Sequence, residues 1–507
     1  MRAVISDLAR YAAERWADKP AIAFAGSREL SFAQIDDLAG RFAAGLTARG
    51  IGAGDRIVLH LPNSWRWVVA YHAIARLGAV VVPANILLSQ AEVLFLTEDS
   101  SARAVIVPED RRQAGGCSAE AIVVADTALP GEQSFDALLQ GDWLAPRKLT
   151  SDALFTIGYT SGTTGKPKGA MLSHGNVFAS VAHTATVHVR HSGDRIYSAL
   201  PLPHVYGNVV MNGCFLTGAW LHVAARFDAA EALGAISQEK ITLFEGVPTM
   251  YYQMLASPAL SGADLSSLTR CTVGGQTMPV AKLDAVAERF GSPVLELWGM
   301  TELGGPATSH SPYWPPRHGS IGRPLHGVEI RIAAPDNPRE TAAPGQRGEL
   351  MVRGDLTTSG YWNNEEASRE AFQDGWFATG DIAYQDDDGY LYIVDRKKDM
   401  ILTAGYNVYP AELEQVIAMH PAVAMVAVAG FPDEEKGEIA KAFVVLHRDV
   451  TLDEAALLAH CRQNLAAYKV PRAVRFVDDL PKTGTGKIMR RALAALDAQH
   501  IQAPINA

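Results

Sequence analysis

One stretch rich in glycine, hydroxyl groups and lysine decides how this chain is interpreted: Tyr159-Thr160-Ser161-Gly162-Thr163-Thr164-Gly165-Lys166-Pro167-Lys168-Gly169. It follows a short apolar segment, Ala153 to Ile157, that predicts a buried strand. It precedes a helical pattern beginning at Val177, for which Ser173 and Asn176 offer capping groups. Glycines let a phosphate approach the backbone, hydroxyl and N–H groups donate to its oxygens, and lysines balance its charge. The stretch therefore predicts a phosphate-binding loop.

The loop does not match the Walker A pattern, which needs glycine where Thr160 stands and serine or threonine where Pro167 stands. A solvated turn would explain a short piece of it, but not the complete run. The complete run resembles the phosphate-binding signature of the adenylate-forming superfamily, which contains acyl-CoA synthetases, beetle luciferases and peptide-synthetase adenylation domains. The resemblance implies that the following residues bind ATP: Thr160, Ser161, Gly162, Thr163, Thr164, Gly165 and Lys166.

Composition narrows the class of protein. At 507 residues the chain is longer than one hydrophobic core usually supports, which predicts two or more domains. An apolar fraction of 48% and a charged fraction of 20% are typical of an ordinary soluble globular protein and not of a disordered one. The net charge of −10 argues against a nucleic-acid partner, since the nearest basic cluster, Arg396-Lys397-Lys398, is too short for a polyanion groove.

Cysteine usage and hydropathy predict a cytoplasmic protein. The four cysteines are widely spaced and form no CxxC pair, which argues against a disulfide framework or a zinc site: Cys117, Cys214, Cys271 and Cys461. Asp7 and Arg10 stand where a signal peptide would need an apolar core. The most apolar stretch, Ala79 to Leu88, is shorter than the ~20 residues that span a bilayer.

The first part of the chain alternates helical and strand-like segments. Ser31 to Gly50 and Ser64 to Leu77 have helical patterns, while Arg56 to Leu61 and Ala79 to Pro83 are strand-like. This alternation predicts parallel sheets covered by helices. From about 321 to 392 the segments become short with Gly- and Pro-rich connections, which predicts an antiparallel sheet or distorted β-barrel.

The last part of the chain predicts a separate small domain. After the charged run Asp395 to Asp399, a helix is expected at Pro410 to Met419 and strands at Val423 to Ala429 and Lys441 to Leu446. We therefore expect an α/β fold with a large N-terminal domain, residues 1–397, and a small mobile α+β domain, residues 398–507.

A carboxylate follows the apolar strand that leads to Leu297-Trp298-Gly299-Met300-Thr301-Glu302. A carboxylate at a strand end suits Mg²⁺, which takes oxygen ligands. The segment resembles the superfamily's aromatic-Gly-x-Thr-Glu motif. The resemblance implies that Glu302, with Thr160, holds Mg²⁺ against the ATP phosphates and that Thr301 contacts the α-phosphate. Trp298, Gly299 and Met300 would border the nucleotide.

Two further segments, Thr379-Gly380-Asp381 and Asp395-Arg396, stand in the order of the family's ribose-binding and hinge motifs. An aspartate is the usual acceptor for ribose hydroxyls. The resemblance implies that Asp381 and Arg396 bind the ribose and that the small domain turns about Lys398.

Near the end of the chain, Pro481-Lys482-Thr483-Gly484-Thr485-Gly486-Lys487 resembles the family's Pro-Lys-Thr-x-x-Gly-Lys motif. A cation at the reacting oxygens stabilises the transition state when a carboxylate attacks an anionic phosphate. The resemblance implies that Lys487 is the adenylation lysine. Acetylation of Lys487 would remove this charge and is expected to stop adenylation.

The acid and CoA sites are assigned by resemblance as well. His204, in Leu202-Pro203-His204, matches the residue beside the substrate carboxylate, and Gly405 with Tyr406 matches the hairpin that borders pantetheine. Segments that match the acyl and adenine sites add Gly274, Gly275 and Gln276, where Gln276 replaces the usual small residue. The candidate acyl pocket is His204, Met211, Phe244, Val247 and Gly274.

Together the motifs predict an acid–CoA ligase that uses ATP, Mg²⁺ and CoA. A mostly apolar pocket favours a medium- or long-chain fatty acid, with a cinnamate- or benzoate-type acid as the alternative. A dicarboxylate would need a pocket cation, for which Arg270 and His310 are candidates. Loading of a carrier protein, luciferase-like oxidation and non-catalytic nucleotide binding are the other hypotheses.

Overall fold

The computed structural model describes residues 3–115, 119–124, 129, 131–160, 167–335, 337–403, 406–433, 435–482 and 488–502. Several predicted site residues lie outside these ranges: Ser161, Gly162, Thr163, Thr164, Gly165, Lys166, Gly405 and Lys487.

The described helices are, in chain order, α1 (Leu8–Trp16), α2 (Phe32–Ala48), α3 (Trp65–Leu77), α4 (Gln90–Asp99), α5 (His174–Val187), α6 (Val205–Thr217), α7 (Ala229–Glu239), α8 (Pro248–Ala256), α9 (Val280–Phe290), α10 (Glu365–Ala371), α11 (Pro410–Ala418), α12 (Glu454–Asn464) and α13 (Leu493–Gln502). Among the described residues, no helix is both long and apolar enough to cross a bilayer.

The described strands of the first half are β1 (Pro20–Phe24), β2 (Glu29–Ser31), β3 (Arg56–Leu59), β4 (Val80–Pro83), β5 (Ala104–Pro108), β6 (Glu120–Val124), β7 (Gln133–Ser134), β8 (Leu154–Thr160), β9 (Lys168–Ser173), β10 (Arg195–Ser198), β11 (Trp220–Val223), β12 (Leu243–Gly246) and β13 (Arg270–Val273). Those of the second half are β14 (Val294–Met300), β15 (Gly305–Ser309), β16 (Arg323–Pro324), β17 (Val328–Ala333), β18 (Gly348–Gly354), β19 (Phe372–Gln373), β20 (Trp376–Gln385), β21 (Leu391–Arg396), β22 (Ile401–Thr403), β23 (Tyr406–Val408), β24 (Val423–Asp433), β25 (Gly437–Leu446) and β26 (Ala473–Phe476).

Two large sheets confirm the predicted helix-covered, parallel architecture. One is seven-stranded, in the order β7-β6-β5-β3-β4-β8-β9, and the other is nine-stranded, in the order β16-β15-β14-β13-β12-β10-β11-β1-β2. Most neighbours are parallel, whereas β9, β15, β16 and β2 run antiparallel at the edges. The apolar segments of the parallel strands are buried because helices cover both faces.

Local sequence signals set the helix starts. Ser31 caps α2 in a reciprocal capping box with Gln34, and Ser173 caps α5 in the same way with Asn176. Each cap satisfies backbone N–H groups that a helix end leaves without partners. The capping groups predicted for the helix after the phosphate loop are thus confirmed, although α5 begins at His174, before Val177.

The chain after β16 forms the predicted antiparallel region. Strands β17, β18, β20 and β19 follow one another in a five-stranded sheet, and β21 pairs with β20. This half-barrel packs on an apolar cluster that includes Leu350, Val352 and Phe377 and extends to Trp298 and Leu303.

The last part of the chain forms an α+β unit, as predicted. Its sheet has the order β23-β22-β25-β24, and β26 pairs with β25 in parallel. Its two apolar clusters consist of residues from 401 onward, including Val428, Val444 and Phe443.

The described cysteines are buried free thiols: Cys214, Cys271 and Cys461. Burial raises the pKa of Cys214 and of Cys271 to about 12, so both thiols stay protonated at neutral pH. They act as small apolar core residues.

Candidate active site

The carboxylate of Glu302 lies where the two large sheets meet. Strand β8 ends at Thr160 and β14 ends at Met300, so both carry polar residues at their carboxyl ends, where open α/β sheets bind ligands. Glu302 Oε1 accepts a hydrogen bond from the Tyr361 hydroxyl at 3.0 Å and a long one from Thr160 Oγ1 at 3.5 Å. Its backbone carbonyl accepts from Thr358 N at 2.7 Å. Two segments that are distant in sequence, the end of β8 and residues 358–361, therefore converge on Glu302.

Burial dominates the electrostatics of this carboxylate. Glu302 is only 5% exposed, and the loss of solvation raises the pKa of its carboxyl above the ordinary value. Hydrogen bonds, among them that from Tyr361, and the charge of Arg396 oppose this rise. A buried carboxylate with hydroxyl neighbours fits Mg²⁺, which binds one or two protein carboxylates and completes its shell with phosphate and water oxygens.

Close contacts explain two of the glycines around the phosphate signature. A Cβ on Gly158 would lie 2.6 Å from Thr301 Cγ2, so the absence of a side chain brings Thr301 against β8. A Cβ on Gly169 would lie 2.6 Å from Ile157 Cγ2. Gly169 is paired with Tyr159 between β8 and β9, so the contact that its missing side chain permits is one of strand packing.

The predicted strand and loop boundaries shift accordingly. The strand expected at Ala153 to Ile157 continues to Thr160, and Lys168 opens the returning strand β9. The described ends of the signature thus belong to the paired strands β8 and β9.

The predicted ribose residues form one cluster. Asp381 and Arg396 are cross-strand partners on β20 and β21, and Arg396 Nε lies 2.7 Å from Asp381 Oδ1. The other carboxylate oxygen accepts a hydrogen bond from Trp298 Nε1 at 2.7 Å. Asp381 is buried while Arg396 is partly exposed, so the carboxylate is held rigidly from one side and the guanidinium faces solvent. Trp298 thereby joins the cluster to β14.

The described residues on either side of the Lys487 segment, here called the hairpin base, contact the large domain. Lys482 and Ile488 form an antiparallel bridge, and Met489 N donates to Pro481 O at 2.8 Å. The Gln276 side chain bonds both backbone groups of Ile488: its Nε2 donates to Ile488 O at 3.2 Å, and its Oε1 accepts from Ile488 N at 2.9 Å. Residues 212 positions apart in sequence are thus directly joined.

Further contacts cross the same boundary. Val280 N donates to Gln415 Oε1 at 3.1 Å, and Lys282 Nζ donates to Val423 O at 3.0 Å. These contacts place α11 and β24 against the start of α9.

Arg490 gathers three carboxylates. Its guanidinium forms a bidentate pair with Glu414, at 2.8 and 3.2 Å, and lies 3.1 Å from Asp395 and 3.5 Å from Asp399. The surrounding negative charge raises the pKa of Arg490 despite its burial. The predicted hinge residue, Lys398, is exposed in the turn between Asp395 and β22.

A hydrogen-bonded network lies beside the predicted substrate histidine. His204 is the N-cap of α6, and its Nδ1 accepts from Tyr206 N at 3.3 Å. The Tyr206 hydroxyl lies 2.6 Å from Thr272 Oγ1, which donates in turn to Glu245. Glu245 is fully buried and paired with Arg190.

The apolar pocket residues are found in the core of the large domain. Met211, Val247 and Gly274 are buried, and the Phe244 ring stacks on Tyr197 at 5.5 Å. Their assignment to an acyl pocket stays a prediction.

Neither Arg270 nor His310, the two candidate cations, is free to pair with the second carboxylate of a dicarboxylate substrate. Arg270 lies 2.6 and 3.1 Å from the two carboxylate oxygens of Asp194, so its charge is already balanced. His310 bonds Ser320 O, and burial lowers the pKa of its imidazole, which keeps the ring neutral at physiological pH.

Tyr406, predicted near CoA, is exposed and stacks on Tyr468 with the ring centroids 4.5 Å apart. An exposed aromatic pair offers a flat surface to a ligand.

Sequence reasoning missed Tyr361, which contacts Glu302 and has Lys168 Nζ 5.4 Å from its ring centroid. Tyr361 follows Gly360, whose φ of +135° is one that side chains rarely adopt. The local sequence around Tyr361 offers one signal of a special position, the glycine that precedes it. That signal does not indicate that the tyrosine contacts Glu302, which is 59 positions away.

Comparisons with known proteins agree with this arrangement. A long-chain-fatty-acid–CoA ligase of Bacillus subtilis (strain 168) is 34% identical, covering 95% of this chain and 92% of its own. A 2-succinylbenzoate–CoA ligase of Geobacillus kaustophilus (strain HTA426) is 36% identical over 93% of this chain and 94% of its own length. The crystal structure of the anthranilate CoA ligase AuaEII in complex with anthranoyl-AMP superposes with a TM-score of 0.90 at 30% identity. The superposition covers 98% of this chain and 100% of the ligase.

The family match spans both parts of the chain. Residues 9–362 match the family described as AMP-binding enzyme, and residues 412–487 match the AMP-binding enzyme C-terminal domain. The resemblance inferred from the motifs is confirmed, and the chain belongs to the AMP-binding enzyme family.

Proposed function

We propose that this AMP-forming acid–CoA ligase activates a medium- or long-chain fatty acid in two half-reactions. First a carboxylate oxygen attacks the α-phosphorus of ATP, the bond to the bridging oxygen breaks, and pyrophosphate leaves. The CoA thiol then attacks the acyl carbon of the acyl-adenylate, loses its proton, and AMP departs. The observation that carries this proposal is the convergence of Thr160, Tyr361 and Glu302 at the carboxyl ends of β8 and β14.

The nucleotide residues have distinct tasks in this proposal. The signature residues from Thr160 to Lys166 hold the phosphates, Thr301 contacts the α-phosphate, and Asp381 with Arg396 holds the ribose. Glu302 and Thr160 would hold Mg²⁺, which supplies positive charge to the phosphate oxygens. Lys487 stabilises the charge that develops as the carboxylate attacks. The buried carboxylate and the neighbouring hydroxyls support the metal assignment.

The second half-reaction requires the small domain to turn. We place the boundary at residues 397 and 398 and the pivot at Lys398, in the exposed turn after β21. Rotation of the small domain withdraws Lys487 and brings Gly405 and Tyr406 toward the channel for pantetheine. One cavity can therefore serve both half-reactions. The separate apolar clusters on the two sides of this turn support the division. We also place the protein in the cytoplasm, which cell fractionation would test.

The nature of the acid is decided by a substrate panel. Fatty acids of increasing length, cinnamate, benzoate and succinate are each offered with ATP, and pyrophosphate release is measured. We expect the highest kcat/KM for a fatty acid, because the candidate pocket is apolar and the cations considered for a second carboxylate are already paired or neutral. A higher value for an aryl acid would favour the alternative, which the succinylbenzoate and anthranilate ligases among the relatives keep open.

The thiol acceptor is tested separately. We expect thioester formation with free CoA at a rate far above that with a phosphopantetheine-bearing carrier protein. The reverse order would identify a carrier-loading enzyme.

Asp381→Asn is expected to raise the KM for ATP about 10- to 100-fold, because it removes the charge that orients Arg396 and accepts from the ribose. Titration with fluorescent AMP measures the loss directly. Asp388→Asn is the matched control, since Asp388 is an exposed, arginine-paired aspartate in the turn that joins β20 to β21. Equal AMP affinity in the Asp381 variant and the parent enzyme would contradict the ribose assignment.

A further inference from the structure

We infer that Gln276 is a positioning residue for acyl-adenylate formation, acting by holding Ile488, the residue after Lys487, against the large domain. This inference rests on the proposed function. Its basis is the pair of hydrogen bonds at 2.9 and 3.2 Å by which one side-chain amide binds both backbone groups of Ile488.

The geometry of the hairpin base leaves these two groups available. In an antiparallel ladder, a pair that exchanges no hydrogen bonds directs its N–H and C=O groups away from its partner. Lys482 and Ile488 are such a pair, because the neighbouring bond runs from Met489 N to Pro481 O. The outward N–H and C=O of Ile488 therefore need a partner, and the amide of Gln276 supplies a donor and an acceptor together.

The position of Gln276 makes the contact relevant to chemistry. Gln276 follows β13, which pairs with β14, the strand that leads to Thr301 and Glu302. Gly275 has a φ of +87° and turns the chain just before Gln276. The small side chain usual at this place in the family would be too short to make both bonds. A glutamine here thus fixes the hairpin base relative to the metal-binding carboxylate.

Another glutamine provides a matched control. Gln415, on α11, also makes an amide contact across the boundary, accepting from Val280 N at 3.1 Å. It bonds the start of α9 and not the hairpin. If Gln276 acts only by helping the two domains to dock, substitution of Gln415 should slow acyl-adenylate formation as much as substitution of Gln276.

The experiment compares Gln276→Met, Gln276→Glu and Gln415→Met in the full-length enzyme. Methionine keeps the length of the side chain and removes both hydrogen bonds, while glutamate keeps the acceptor for Ile488 N. Acyl-adenylate formation is measured in single turnovers without CoA, and thioester formation is measured from supplied acyl-adenylate. Hydrogen exchange of a peptide that contains Ile488 in its interior reports the contact without any activity.

We expect Gln276→Met to slow acyl-adenylate formation about 5- to 30-fold, the effect of losing two neutral hydrogen bonds, and to leave thioester formation unchanged. The adenylation rate of Gln276→Glu should lie between those of Gln276→Met and the parent enzyme, and that of Gln415→Met should equal the parent's. Hydrogen exchange at Ile488 N should be faster in Gln276→Met than in the parent. Equal slowing of both half-reactions, an unchanged adenylation rate, or an equal effect of Gln415→Met would overturn the inference alone. A parent enzyme that forms no acyl-adenylate from any acid would overturn the proposed function and this inference together.

Discussion

Lys487→Ala is expected to slow acyl-adenylate formation by about 10²- to 10³-fold and to leave CoA attack on supplied acyl-adenylate nearly unchanged. In the proposed mechanism, the first step brings a carboxylate toward an anionic phosphate, so the variant would lose the cation that stabilises the developing charge. The second step expels AMP from a mixed anhydride after the small domain has turned, and the lysine has no part in it. The ratio of the two rates is therefore the informative quantity.

Two single-turnover assays measure this ratio, one following pyrophosphate and the other following acyl-CoA. Lys482→Ala is the control from the same hairpin, since Lys482 pairs with Asp479 at the hairpin base. It should reduce adenylation far less than Lys487→Ala. Comparable losses in both half-reactions of Lys487→Ala would contradict the two-arrangement mechanism.

Glu302→Gln is expected to reduce adenylation by about 10²-fold or more and, in metal-free buffer, to make the protein more stable at neutral and alkaline pH. In the proposed mechanism, the activity falls because Mg²⁺ would lose the carboxylate that holds it. The stability rises because a neutral amide replaces a carboxylate that is 5% exposed, whose burial raises its pKa. The amide oxygen of the variant would still accept from the Tyr361 hydroxyl.

The pH dependence follows from the direction of the shift. A carboxyl whose pKa is higher in the folded state stabilises the fold below its unfolded pKa, and this contribution is lost as the pH rises through the folded value. The melting temperatures of parent and Glu302→Gln should therefore be close at acid pH and diverge as the pH rises. Thermal unfolding between pH 5 and pH 8 without Mg²⁺ measures the divergence. A constant difference across this range would show that Glu302 does not titrate as the structure implies.

Much of the fold could be predicted from sequence because its signals are local. The capping box of Ser173 and Asn176, the apolar run before Trp298 and the change to short segments after about 321 each depend on neighbours along the chain. The resemblance assigned Asp381 and Arg396 to one ribose site, but it did not predict that they pair across β20 and β21.

The rest depends on contacts between distant segments. Tyr361 reaches Glu302 from the segment after β18, which pairs with β9, and Gln276 reaches Ile488 across the boundary between the two parts of the chain. Neither partner leaves a periodic pattern in the sequence. Gln276 was expected to border the nucleotide, and its described hydrogen bonds go instead to the backbone of Ile488; its contact with nucleotide stays a prediction.

The cluster around Arg490 has a consequence for the energetics of domain rotation. A turn at Lys398 would part Arg490 from Asp395, which lies before the pivot, while Glu414 and Asp399 travel with the guanidinium. Because its bidentate partner, Glu414, moves together with Arg490, the guanidinium stays paired with a carboxylate throughout the rotation. Asp395, which is only 4% exposed, would lose both the guanidinium and the hydrogen bond from Ala411 N, so the electrostatic cost of reorientation falls on this carboxylate. Because salt screens buried charges only slightly, the interconversion rate should depend only weakly on ionic strength.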